Sequence, residues 1–287
     1  MATLGVITDG ISREFEHALE VMREHGVRQA ELQYVWDWEV GDLDDAVLGR
    51  VEDLVGQYGV RVSCVSRHNF AGLSVGQVEV GDAMHSAHMD ALGRCIAEAR
   101  ALHCGLVRIM SFDKEMILFG SGGAEEWNVA TGAWDRLKML LHPAVQRAED
   151  EGVTLVVETG NNAMVTSGHL GRRLVDEMGS DRLRVLWDPG NSLYCNEPAY
   201  PDGYEALGAS LAHVHIKDLR VDIPKATVEQ CRFGDGQMAP YFGGIASALV
   251  RDRFRGVVSF ESVHRPRGGS FEDGFRASFP AFRRTFG

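Results

Sequence analysis

Four acid or imidazole side chains stand at or near the ends of four successive apolar runs in the second half of the chain. Glu158 ends TLVVE, Asp188 ends LRVLWD, Glu261 ends GVVSFE, and His215 lies near the end of LAHVHIKD. A carboxylate that closes a buried run is costly unless a partner offsets its charge. One divalent cation shared by three carboxylates and one imidazole would offset all of them, so these positions predict a metal site.

Each of the four residues also has a structural alternative. Glu158 or Glu261 could pair with an arginine, Asp188 could belong to the DPGN turn, and His215 could be a hydrogen-bonded core histidine. Four such coincidences on consecutive strands are harder to accept than one shared ion. Oxygen-rich ligation with one nitrogen suits Mn²⁺ first, with Mg²⁺, Co²⁺ or Zn²⁺ as alternatives.

The stretch LAHVHIKD explains how a strand can carry such a ligand. Side chains alternate between the two faces of a strand, so His213, His215 and Lys217 share one face, opposite Val214 and Ile216. A strand with one apolar and one ionisable face lines either water or a site.

Strand and helix patterns alternate regularly around these residues. The predicted strands cover 3–9, 29–35, 61–68, 105–112, 154–160, 183–191, 211–218 and 256–263. The predicted helices cover 12–26, 43–59, 81–104, 132–152, 166–179, about 203–209, 241–254 and 271–287. Eight such units predict an α/β fold, a (β/α)8 TIM barrel in a single domain over residues 1–287. A doubly wound sheet is disfavoured because the first turn, ITDGISRE, has no GxGxxG pattern.

The insertion 113–131 and the loop 219–240 both follow strands and are expected over the C-terminal mouth of the barrel.

The composition and net charge of the chain disfavour some classes of binding partner. The net charge of −12 argues against nucleic acid or an anionic membrane as the main partner, and no apolar run is long enough to span a bilayer. The five scattered cysteines lack CxxC spacing, which favours reduced thiols and a cytoplasmic protein.

At this point the sequence resembles the xylose isomerase-like barrel superfamily of sugar isomerases and epimerases. The resemblance runs through VVETG (156–160), LWDPGNS (186–192), HVHIKD (213–218), GDG (234–236) and VSFES (258–262). It implies that Glu158, Asp188, His215 and Glu261 are the metal ligands. It further implies that Glu158 and Glu261 remove and return a proton of a keto-sugar through an enediolate. His213 is then expected to support the site rather than bind metal.

Six further residues are candidates for substrate contact. Lys217 is expected to face substrate, and Asn161 follows the Glu158 strand closely enough to reach it. His68 could contact hydroxyls or simply pack, and Arg108 could bind substrate or form a buried ion pair. Trp127 could stack on a sugar ring or aglycone, with loop packing as its alternative. Asn191 replaces a histidine that the related epimerases commonly carry, which puts a free ketohexose substrate in doubt because an amide does not titrate.

The main functional prediction is a metal-dependent isomerase or epimerase of a small keto-sugar or keto-polyol. A lyase that uses the same chemistry is the first alternative, resembling inosose dehydratases or enzymes that cleave 3-keto-glycosides, including C-glycosides. A non-catalytic sugar-binding barrel is the second. The expected partner is a small carbohydrate, and a homo-oligomer or a small partner subunit is a further option.

Overall fold

Twelve strands are present in the computed structural model, which describes residues 2–114, 132–195 and 197–287. In chain order they are β1 (Thr3–Ile7), β2 (Gln29–Leu32), β3 (Tyr34–Val35), β4 (Trp38–Glu39), β5 (Arg61–Asn69), β6 (Leu106–Ile109), β7 (Thr154–Glu158), β8 (Leu183–Trp187), β9 (Leu211–Ile216), β10 (Asp218–Asp222), β11 (Thr227–Cys231) and β12 (Val257–Phe260). Eight of them close into a parallel barrel in the order β1-β12-β9-β8-β7-β6-β5-β2. The predicted (β/α)8 fold class is confirmed.

Helices follow the barrel strands and cover the outside of the barrel. They are α1 (Phe15–Glu24), α2 (Asp45–Tyr58), α3 (Ala83–Ala101), α4 (Ala133–Glu151), α5 (Gly168–Met178), α6 (Ser192–Cys195), α7 (Tyr204–Leu207), α8 (Ala239–Arg251) and α9 (Phe271–Phe286). Helix α1 shows why they pack as they do. Phe15, Ala18, Leu19 and Met22 recur at helical spacing, and all four are buried against the barrel.

The main hydrophobic core lies between the barrel and its helices, and a smaller one lies inside the barrel. The inner one consists of Cys64, Val156 and Leu186, from three different strands. Because inward side chains come two residues apart, the next inward positions are Glu158 at the end of β7 and Asp188 directly after β8. Among the described residues, no helix is long and apolar enough to cross a membrane.

The stretch 219–240 is not the plain loop that the sequence analysis expected. Strands β10 and β11 pair as an antiparallel hairpin from Asp218↔Cys231 to Asp222↔Thr227. Alternating LRVD and TVEQ segments flank the turn at Ile223–Lys225, a pattern typical of a hairpin. A shorter hairpin, β3–β4, follows β2 in the same way.

The motif GDG, which follows the long hairpin, closes a tight backbone loop around one carboxylate. Asp218 accepts hydrogen bonds from the backbone N–H groups of Gly234, Gly236 and Met238 at 2.9–3.1 Å. Gly234 has a φ of +93°, and a Cβ at Gly236 would collide with that carboxylate. Both glycines are therefore required to hold the hairpin beside the end of β9.

Candidate metal and substrate site

The four predicted metal ligands converge at the C-terminal rim of the barrel. Glu158 ends β7, Asp188 and Glu261 directly follow β8 and β12, and His215 lies one residue before the end of β9. His215 Nδ1 is 3.5 Å from Glu158 Oε1 and 3.9 Å from Glu261 Oε2. Glu158, Asp188 and His215 are buried and offer ligand atoms that all lie within 4.8 Å of one another. Glu261 stands on the solvent side of this group, with a side chain 22 % exposed.

The described residues at this rim could hold a metal ion, and the state of His215 supports that. Its Nδ1 is buried without a hydrogen-bond partner, while its Nε2 lies 2.8 Å from Glu31 Oε1. A histidine ligand typically gives one ring nitrogen to the metal and the other to a carboxylate. The donor set of three carboxylates and one imidazole therefore fits a divalent cation.

Lys217 lies inside this group of carboxylates. Its Nζ is 2.5 Å from Asp188 Oδ2 and 3.0 Å from Glu261 Oε2. Burial disfavours the ammonium, but Asp188 and Glu261 outweigh it and raise the pKa of Lys217. Burial raises the pKa of Asp188, and the Lys217 ammonium opposes that shift. Lys217 thus contributes a fixed positive charge within the group of carboxylates.

The guanidinium of Arg108 contacts three other residues of the protein. Its Nη1 lies 2.9 Å from Glu158 Oε2, and its other nitrogens donate to the carbonyls of Ser66 and Arg67. The side chain is only 2 % exposed, which favours the ion-pair interpretation over substrate contact. Burial would raise the pKa of Glu158, but Arg108 and His215 reverse this and keep it well below its usual range. Glu158 therefore stays ionised, with Oε2 on Arg108 and Oε1 towards His215.

Glu31, in the middle of β2, is a site residue that the sequence analysis missed. Its carboxylate is fully buried and lies 2.7 Å from His213 Nε2 and 2.8 Å from His215 Nε2. The hydroxyl of Ser66 also donates to it. Burial raises the pKa of Glu31, but the two histidines outweigh it and bring it well below its usual range. The available signal was a carboxylate between Ala30 and Leu32 within an apolar strand, rather than at its end.

The remaining substrate candidates lie in different surroundings. His68 is exposed near the end of β5, with Nδ1 3.3 Å from Gln33 Nε2, and the nearby Arg108 cation lowers its pKa to about 3. Asn161 is exposed just after β7. Asn191 is buried, and its amide donates to the Thr159 carbonyl at 2.7 Å, so that amide holds the loop. Trp127 lies outside the described residues, and its role stays a prediction.

A cavity of about 610 Å³ adjoins the carboxylate group on the side of β1 and β12. Glu261 forms part of its wall, and Asp9, Gln33, Val263 and Phe271 are among the other lining residues. Its volume lies in the range of sites that enclose small organic ligands, roughly 300–1,000 Å³. Glu261 therefore faces both the metal-ligand group and a space large enough for substrate.

Known structures with the same fold include several sugar epimerases. An L-ribulose 3-epimerase is 18 % identical, with 100 % of this chain and 95 % of that chain covered and a TM-score of 0.71. The 3-keto-D-glucoside 4-epimerase of E. coli is 16 % identical, with 99 % and 100 % covered and a TM-score of 0.69. The D-psicose 3-epimerase of Clostridium cellulolyticum H10, solved with D-tagatose, is 13 % identical, with 100 % and 99 % covered and a TM-score of 0.72. At these identities the likeness establishes the fold alone.

The sequence itself shows the family. The pattern of the xylose isomerase-like TIM barrel family matches residues 19–284, which is most of the chain. No curated protein matches the sequence. The chain therefore belongs to the xylose isomerase-like TIM barrel family.

Proposed function

We propose that the protein is a divalent-metal-dependent isomerase or epimerase of a keto-sugar or keto-polyol. The observation that carries this proposal is the convergence of Glu158, Asp188 and His215, all buried, beside Glu261 at the wall of a large cavity. Several known structures with the same fold are sugar epimerases, which agrees with it. We further propose Mn²⁺ as the preferred ion, because carboxylate oxygens dominate the ligand set.

Glu158, Asp188, His215 and Glu261 would hold the ion. A bound divalent cation would polarise a substrate carbonyl and acidify the adjacent C–H group. Glu158 and Glu261 approach His215 Nδ1 from two different strands, β7 and the end of β12, at 3.5 and 3.9 Å. This arrangement suits two carboxylates that act as base and acid on a substrate held between them.

Two cations of the chain prepare these carboxylates for their roles. Arg108 holds Glu158 Oε2 at 2.9 Å, which keeps that glutamate ionised and turns Oε1 towards His215 and the proposed ion site. Lys217 holds Asp188 and Glu261 on its other side and can stabilise negative charge that develops on a substrate oxygen. Since Glu261 is also the more exposed of the two glutamates, it is the one that can exchange its proton with solvent.

A lyase acting on a keto-glycoside is the second candidate, and the volume of the cavity favours it. A space of about 610 Å³ is more than one sugar ring fills, so it could enclose an aglycone beside Glu261. The same proton removal next to a carbonyl would then be followed by loss of the β-substituent. A C–C or C–O bond would break, and the aglycone would leave with the electron pair and take up a proton.

The test is C–H exchange in D₂O with Mn²⁺-loaded protein and a panel of ketoses, inososes and 3-keto-glucosides. We expect deuterium to enter the carbon next to the carbonyl, with epimer formation for an epimerase and aglycone release for a lyase. Glu158→Gln and Glu261→Gln should each lower the rate of exchange by about 10²- to 10⁴-fold. Glu229→Gln, an exposed glutamate on the β10–β11 hairpin, is the matched control and should retain it. Metal binding without exchange of any substrate would favour the non-catalytic barrel instead.

A further inference from the structure

Glu31 contacts His213 and His215 across the inside of the barrel. It lies on β2, whereas both histidines lie on β9, and β1 and β12 separate these two strands around the barrel. The contacts join residues 182 and 184 positions apart. All three side chains are completely buried. They form one connected group beneath the metal-ligand rim.

The hydrogen-bonding chemistry fixes where the protons lie in this group. An ionised carboxylate can only accept, so each histidine must carry a proton on the Nε2 atom that faces Glu31. Burial alone would lower the pKa of His215, but the carboxylates of Glu31 and Glu158 raise it well above its usual range, so without an ion Nδ1 carries a proton as well. With Nε2 held by Glu31, Nδ1 is the ring nitrogen whose proton a bound ion would displace. That atom faces Glu158 and Glu261.

His213 and Ser66 hold the carboxylate itself in place, and Ser259 contacts His213. His213 Nε2 is 2.7 Å from Glu31 Oε2 and also 3.1 Å from Ser259 Oγ. The Ser66 hydroxyl donates to Glu31 Oε1, the oxygen that faces His215. With both oxygens engaged, the carboxylate cannot rotate away from His215 without breaking bonds in a buried environment.

We propose that Glu31, held by His213, is a positioning residue that keeps a proton on His215 Nε2 and thereby presents Nδ1 to the divalent ion. This inference deepens the proposed function and rests on it for the identity of the ligand group. Neither Glu31 nor His213 touches substrate in this account. Both act through His215.

A separate ion bound by Glu31, His213 and His215 is the other interpretation of the cluster, since their donor atoms also lie close together. The geometry disfavours it. The two nitrogen–oxygen distances of 2.7 and 2.8 Å are those of charge-assisted hydrogen bonds, and Ser66 already donates to the same carboxylate. Such bonds require protons on the nitrogens that an ion would need.

The first test needs no variant. Nitrogen-15 NMR of the histidine rings in the metal-free and Zn²⁺-loaded protein should show a proton on Nε2 of His215 in both states. An His215 ring protonated only on Nδ1 would overturn the proposal. This readout decides the positioning role even if the protein shows no activity.

The second test is metal affinity. In titrations with Mn²⁺ and Co²⁺, Glu31→Gln should weaken the apparent Kd by about 10- to 100-fold, the usual effect of removing such a carboxylate. His213→Gln should weaken it by a smaller factor, because Glu31 keeps its bond to His215. Glu98→Gln removes another buried carboxylate, one that binds the backbone of Gly41 and Leu43, and should leave the Kd unchanged.

The outcomes separate the two proposals. An unchanged Kd in both Glu31→Gln and His213→Gln would overturn the positioning role while leaving the metal site intact. If the wild type binds neither ion, the proposed function fails, and the NMR measurement of the metal-free protein alone then decides which nitrogen of His215 carries the proton that faces Glu31.

Discussion

The inside of the barrel has two layers with opposite character, although the same strands build both. Val156 and Leu186 belong to the inner apolar cluster with Cys64, and two residues further along the same strands stand Glu158 and Asp188. The apolar layer closes the barrel and excludes water. The polar layer carries charged side chains, and their electrostatic interactions are stronger because the apolar layer beside them has a low dielectric constant. On these two strands, stability and chemistry are separated by a single inward step, whereas on β9 both inward residues, His213 and His215, are polar.

The largest expected effect is on the rate of substrate exchange, and it comes from a substitution in the polar layer. Glu158→Gln should lower the rate of substrate C–H exchange by about 10²- to 10⁴-fold, because it removes a proposed acid/base group. Exchange rates measured by NMR in D₂O, alongside unfolding in urea, give the two readouts. A variant that loses stability but exchanges at the wild-type rate would show that Glu158 serves only to pair with Arg108.

The second-largest expected effect is on the free energy of unfolding, and it comes from a substitution in the apolar layer. Leu186→Ala should lower the free energy of unfolding by about 2–5 kcal/mol, since it leaves a cavity in a fully buried cluster. Its apparent Kd for Mn²⁺ should stay near the wild-type value if the layers are independent. A large loss of metal affinity in this variant would instead show that the apolar layer positions the ligands directly.

Glu98 lies outside the barrel on α3, and its titration should make the free energy of unfolding depend on pH. The expected effect is intermediate in size. Burial raises its pKa from 4.5 to about 7, although the backbone N–H groups of Gly41 and Leu43 partly stabilise the carboxylate. The folded form therefore holds this proton more tightly than the unfolded form. Its contribution to stability is fully present below pH 4.5 and is lost as the pH rises to about 7. Glu98→Gln should remove up to roughly 3 kcal/mol of this pH dependence, as measured by urea unfolding across that window. The same slope in both proteins would contradict it.

The smallest expected effect on the free energy of unfolding comes from a substitution at the surface. Arg220 and Glu229 pair across the β10–β11 hairpin with side chains 49 % and 68 % exposed. Arg220→Ala should change the free energy of unfolding by less than about 1 kcal/mol, because exposed ion pairs contribute little. A loss of exchange activity in this variant would reveal that the hairpin takes part in substrate binding.

The sequence predicted the parts of the site that depend on strand ends and missed the parts that depend on contacts across the barrel. Parallel strands bring their ends to one rim, so Glu158, Asp188 and Glu261 could be grouped without coordinates. Glu31 could not, since nothing in the sequence indicates that β2 faces β9. Lys217 was expected to face substrate, but its contact with Asp188 depends on how far each strand extends beyond the barrel. The hairpin at Asp218–Cys231 was expected to be a loop, although the alternation in LRVD and TVEQ is a hairpin signal that the sequence does contain.

We expect one divalent ion to bind at the polar rim, and the number of ions bound per chain tests this without any substrate. Metal-free protein should be titrated with Mn²⁺ and the bound ion counted by elemental analysis after removal of the excess. About one ion should remain per chain, and that ion should be lost in Asp188→Asn. A wild-type chain that retains no Mn²⁺, Mg²⁺, Co²⁺ or Zn²⁺ would contradict this expectation, and the rim would then be an ion-pair network around Lys217 and Arg108.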